Sequence, residues 1–206
     1  MQLHSTKKIS SIPKFEMDYI ITDDEDKVRL IDHIKAIARS SLEYKEYMKY
    51  LKEVLRLNKC SFFTNINTDN IKRRVSIEIH HEPLSMFDIC EIILDKHIQV
   101  YKNINPYTIA DEVMYNHYNN RVGLIPLSAT VHELVENGKE IIPIQCVFGE
   151  YTDFLLEYKP YINNRINDKL FMKIEFSKSY DPSKSLLNKK YVYFDVDEQD
   201  EIQFEN

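Results

Sequence analysis

The chain has 206 residues, 43% of them hydrophobic and 29% charged, with a formal net charge of −6. This composition belongs to a soluble globular protein long enough to bury a core without disulfide or metal support. It holds no apolar run long enough for a transmembrane helix, and the polar start Met1-Gln2-Leu3-His4-Ser5 lacks the apolar stretch of a secretory signal. Six acids (Asp195, Asp197, Glu198, Asp200, Glu201 and Glu205) crowd the end with no base among them, and the rest of the chain balances acids against bases. A uniformly basic nucleic-acid binder is thereby excluded, while a local basic patch is not.

In chain order, residues 1–22 read as irregular or edge structure, with Pro13 breaking any helix. The acids Asp23 to Asp26 suit the positive end of a helix dipole. Val28, Ile31, Ile34, Ile37 and Ala38 then repeat at helical spacing over 27–39. Ser40 or Ser41 caps a second amphipathic helix reaching about residue 57. After a turn-rich stretch, 74–81 alternates apolar and polar and ends in His80-His81. Pro83 closes this strand, and a strongly apolar helix over 85–101 starts from Ser85. Another helix covers 108–118, with Thr108 and Asp111 spaced for a capping box.

A short extended run at 123–127 leads into a helix over 128–136, which Asn137-Gly138 ends. A helix over 149–162 is expected, and Phe148 just before it with Tyr151, Phe154, Leu155, Tyr158 and Tyr161 repeats at three- and four-residue steps, the pattern of a core-packing face. Alternation predicts two closing strands, 170–176 and 191–196, joined by a polar loop with Asp181-Pro182-Ser183. The acidic end reads as solvated. Cys60, Cys90 and Cys146 are isolated, forming neither a disulfide framework nor a zinc knuckle, and this usage predicts a reducing, cytoplasmic compartment.

The chemistry-bearing feature is a strand ending in two histidines, followed at a distance by an extended run and a helix with His132. Adjacent strand residues point to opposite faces, so one imidazole can face a metal and the other a substrate. Which of the two takes which role is left open by strand geometry. Lys72, Arg73 and Arg74 precede the same strand and form the best basic cluster, with Arg121 flanking the second half; all four are candidate phosphate contacts. His33, His97 and His117 read as ordinary helix residues.

The segments Ile77-Glu78-Ile79-His80-His81-Glu82-Pro83 and Gly123-Leu124-Ile125-Pro126-Leu127-Ser128-Ala129-Thr130-Val131-His132-Glu133-Leu134-Val135 resemble the two halves of an HNH, or ββα-metal, endonuclease. His132 follows Gly123 at the family's nine-residue spacing. The resemblance implies His81 as general base, with His80 and His132 as metal ligands. Glu136, four residues on, shares the helix face of His132 and would add an oxygen ligand suited to Mg²⁺ or Mn²⁺. Gly123 stands where the family carries a bracing Asn, and two predicted helices separate the halves.

The expected architecture is α+β. It comprises an N-terminal helical region (1–58), a central ββα-metal-like element with a helical insert and a following helix (59–165), and a C-terminal β-rich segment with the acidic tail (166–206). The expected function is metal-dependent hydrolysis of DNA phosphodiesters. The alternative is a catalytically degenerate scaffold serving as a binding or assembly factor in a nucleoprotein complex. The Ile, Asn, Lys and Tyr bias fits an AT-rich coding sequence such as those of many phage or low-GC bacterial genes; a phage origin would place the chain in the host cytoplasm. A plain interaction protein is the third reading, and it requires that His80, His81 and His132 do not converge.

Overall fold

The computed structural model describes residues 19–63, 66, 76–102 and 104–181. Its elements in order are α1 (Asp24–Ser40), α2 (Leu42–Glu53), β1 (Ile77–His81), α3 (Met86–Val100), α4 (Pro106–Tyr118), β2 (Leu124–Ser128), α5 (Ala129–Glu136), α6 (Tyr151–Tyr158) and α7 (Asn164–Ser179). Among the described residues the fold is therefore helix-dominated, with one small sheet, and is α+β at the coarse level.

Local chemistry explains the boundaries. Asp23 caps α1 by accepting from the Asp26 N–H, and Ser41 caps α2 by accepting from Tyr44. Helix α3 opens with a full capping box: the Ser85 side chain accepts from the Asp88 N–H, and the Asp88 carboxylate accepts from the Ser85 N–H. Helix α4 starts two residues before its expected place. Asn105 accepts from Tyr107 and Thr108, and Pro106 fills the first turn, so the Thr108–Asp111 box is not used. Helix α2 stops at Glu53, short of 57, and Arg56 follows with φ of 59°.

Strands β1 and β2 pair antiparallel, with Ile77 opposite Ser128 and His81 opposite Leu124. Phe148 extends this pairing through reciprocal 2.8 Å bonds with Leu124. The larger apolar cluster joins α1, α3, α4, α6 and α7 through Leu30, Ile34, Ile93, Val113, Phe154 and Ile166. The second cluster joins the sheet to α5 and the loops through Phe62, Ile77, Ile125, Leu127 and Val131. Each such side chain contributes about 1.5–3 kcal/mol by burial.

One expected strand is corrected. Residues 170–176 lie inside the helix α7, not in a β-rich segment. The alternating apolar pattern there is real, but Asn163 caps a helix by accepting from the Ile166 N–H. Arg165, Lys169 and Lys173, one helical turn apart, then all bind carboxylates. The second expected strand, 191–196, and the acidic tail lie outside the described residues.

Candidate functional site

Strand β1 carries the histidines, and its alternation separates them. His81 points to the face covered by α2 and α4. Its Nε2 lies 2.9 Å from His117 Nε2 on α4. His81 is 6% exposed and His117 0%. The His117 Nδ1–H donates to the Val113 carbonyl at 2.7 Å. In a neutral ring this leaves His117 Nε2 as the acceptor, so His81 Nε2–H donates to it. Burial pushes the His81 pKa well below its ordinary value, helped by the neighbouring His117 and Arg39. Burial likewise brings His117 to about 4, against the opposing bond to Val113. Tyr44 and Tyr47 of α2 meet the His117 ring edge-on.

His80 points to the opposite face, which α5 covers. Its ring centroid lies 4.8 Å from that of His132. His132 Nδ1 donates to Glu78 at 2.5 Å, and its Nε2 lies 3.4 Å from Glu136. His80 Nε2 is 3.7 Å from Glu82. Glu78, two residues before His80 and on the same strand face, was not among the sequence candidates; the period of two would have found it. The three expected imidazoles are thus divided between two pairs, His80 with His132 and His81 with His117, on opposite sides of one strand. Among the described residues no group of three His, Cys, Asp or Glu side chains is arranged to hold a metal ion.

The basic candidates fare differently. Arg121 reaches α6, with an ion pair to Glu157 at 2.5 Å and a bond to the Asp153 carbonyl. Lys72, Arg73 and Arg74 lie outside the described residues. None of the three cysteines forms a disulfide, and all are buried; burial pushes the Cys90 thiol up to about 12.

The polar work of the molecule is done elsewhere. Glu112 of α4 accepts from Lys96 at 2.7 Å, from His97 at 2.8 Å and from the Tyr158 hydroxyl at 2.5 Å. Burial alone would raise its pKa, but these three bonds win and hold it at about 2. On α3, Asp88 binds Arg165 and Lys169, while Glu91 binds Arg165, Lys27 and Asn163. Glu82, 2% exposed, pairs with Lys173. Beside these bases a groove of about 650 Å³ opens between the turn after α5 and helix α7, walled by Val135, Ile141, Ile142, Met172 and Phe176.

A family model described as bacteriophage G278-like virion protein matches residues 3–203. The chain belongs to the bacteriophage G278-like virion protein family. No curated protein and no solved structure matches it. Membership in this virion protein family overturns the HNH resemblance, and with it the reading as a DNA-hydrolysing nuclease. Of the two sources that the residue bias fits, phage and low-GC bacterial genes, the match agrees with the first. The physical reason for the false resemblance is now visible. A hairpin-like strand pair followed by a helix does form, but His81, the expected base, is sealed in the interior against His117 instead of facing a substrate. Among the described residues of this virion protein, no helix is long and apolar enough to cross a membrane.

Proposed function

We propose that the chain is a structural component of the bacteriophage particle, holding neighbouring virion proteins in place as an assembly factor. The observation that carries this reading is the family match, which spans residues 3–203. The build of the molecule supports it. Ion pairs with the buried carboxylates Asp88 and Glu91 fasten α7 to α3 and α1 to α3, which suits a rigid load-sharing part. Large apolar side chains remain on the outside, including Phe171, Met172 and Ile174 of α7 and Tyr107, Tyr115 and Tyr118 of α4. Exposed large apolar side chains mark protein contacts where they gather into a patch. The partners in this reading are other phage proteins.

The test is mass spectrometry of gradient-purified particles, beside particles from a phage whose gene for this chain carries an early stop. The chain should appear in wild-type particles in fixed ratio to the major virion proteins, and the stop mutant should yield incomplete particles. A chain abundant in the lysate yet missing from intact particles would overturn the proposal.

A further inference from the structure

A pocket of about 280 Å³ opens where the end of α1 and the start of α2 meet α4. Its floor is apolar and mostly buried, formed by Ile37, Ala38, Ala110 and Met114. Its rim is exposed and carries Glu43, Asp111, Tyr115 and Tyr118, two acids with no base in the lining. The Asp111 pKa is raised, first by partial burial and then by the charge of Glu43, and no basic side chain offsets it. Glu46 stands on the same side, since burial and then the charges of Glu46 and Glu43 raise the Tyr118 hydroxyl. The acids of α3 and α4 that face inward are treated otherwise: Arg165 and Lys169 meet Asp88, and Lys96 meets Glu112. Like charges held beside apolar surface with no counter-charge are stabilised when a cation joins them.

The aromatic rim continues along α4. Tyr107, Asp111, Tyr115 and Tyr118 follow at steps of four, four and three, so they share one face of the helix. The three tyrosines are 58%, 57% and 48% exposed, and the stripe they form is about 16 Å long. Tyr118 is held at the rim by its hydroxyl, which donates to the Glu43 backbone carbonyl at 2.8 Å. Rings beside carboxylates select a basic side chain: the ring faces attract a cation, and the acids pair with it. The pocket is smaller than the usual small-molecule cleft of about 300–1,000 Å³. The tyrosines extend beyond it, in the manner of protein interfaces, where tyrosine and arginine concentrate.

We propose that this pocket and the α4 tyrosines dock a different virion protein, which inserts a lysine or arginine side chain between Glu43 and Asp111. The apolar floor takes the stem of that side chain, and the two acids take its charge. The proposal rests on the reading of the chain as a particle component and adds the chemistry of the partner.

The experiment supplies full-length variants to the phage whose own gene carries the early stop, and measures the ratio of this chain to the major virion proteins in purified particles. The charge-reversed pair Glu43→Lys, Asp111→Lys should lower that ratio by at least about tenfold. The neutral pair Glu43→Gln, Asp111→Asn should lower it less, and it keeps the test valid if the reversed pair melts early as purified protein. The control pair Glu133→Lys, Asp168→Lys makes the same charge change at exposed positions of α5 and α7 and should incorporate as wild type. The photocrosslinking residue p-benzoylphenylalanine at Tyr107, outside the pocket, should join the chain in particles to a lysine- or arginine-bearing peptide of another virion protein. Normal incorporation of both pocket pairs, an equal loss in the control pair, or crosslinks only to a second copy of this chain or to peptides without a base would overturn this proposal and leave the particle role standing. Absence of the wild-type chain from particles would overturn both.

Discussion

His81 Nε2 and His117 Nε2 face each other at 2.9 Å in the interior, one donating and one accepting, both neutral. Neutrality is imposed by burial, and that makes stability depend on pH in a defined window. Each imidazole takes a proton in the unfolded chain at its ordinary value of 6.5, but in the folded chain only well below it, at about 4 for His117. The unfolded state therefore binds more protons as pH falls. Stability is full above 6.5 and declines below it, by about 1.4 kcal/mol per pH unit for each imidazole. Urea unfolding between pH 7.5 and 5 should show this slope. The double variant His81→Leu, His117→Leu should flatten it, and a wild-type profile already flat over that range would contradict the pairing.

Glu112 titrates in a lower window with the same direction. Its carboxylate is held at about 2, against an ordinary 4.5, so its contribution is complete above 4.5 and lost as pH falls towards 2. Glu112→Gln should cost about 2–3 kcal/mol at pH 7, because Lys96, His97 and Tyr158 lose a charged acceptor together. Thermal unfolding of that variant checks it, and a loss below 0.5 kcal/mol would show that the three donors find other partners.

Gly123→Ala should be among the most damaging small substitutions. A Cβ at this position would sit 1.8 Å from the Glu82 carbonyl oxygen and 2.8 Å from Val147 Cγ1. The Glu82 N–H in turn donates to the Gly123 carbonyl at 3.0 Å. Backbone must move to admit even one methyl, at a cost of about 3 kcal/mol. A melting temperature within a degree of wild type would refute the close approach.

Asp88→Asn removes the ion pairs to Lys169 and Arg165 while leaving the side chain's shape in the capping box. The two bases are partly exposed, so the expected loss is about 2 kcal/mol. Hydrogen exchange should rise first over α7 (Asn164–Ser179), ahead of α4. Uniform change across the molecule would show that Asp88 does not act as the anchor of α7.

Much of the helical frame was legible. Ser41 and Ser85 announce their helices by side-chain chemistry that works at short range, and Ile31, Ile34 and Ala38 of the α1 periodicity are buried, although Val28 is exposed and Leu30 takes its place in the core. The alternation of β1 was readable as well. The failures share a cause: long sequence separation. The Leu170-Phe171-Met172-Lys173-Ile174 stretch looks like a strand until Arg165, Lys169 and Lys173 are seen to meet Asp88 and Glu82, residues far upstream. His117 looked ordinary because its partner His81 lies 36 positions away. Gly123 looked like a lost asparagine, whereas it is the glycine that lets two backbones touch. The nuclease resemblance rested on His80, His81 and His132 acting as one group, and only the third dimension shows that β1 divides them.

The ion pairs of α7 also set an order of events during synthesis. Asp88, Glu91 and Glu82 leave the ribosome long before Arg165, Lys169 and Lys173 exist, since their bonds bridge 74 to 91 positions. Until those bases emerge, three carboxylates destined for the interior have lost most of their future counter-charges and keep their water. The segment from α1 to α6 therefore waits, hydrated along that side of α3, and α7, the last helix among the described residues, is the one that closes it.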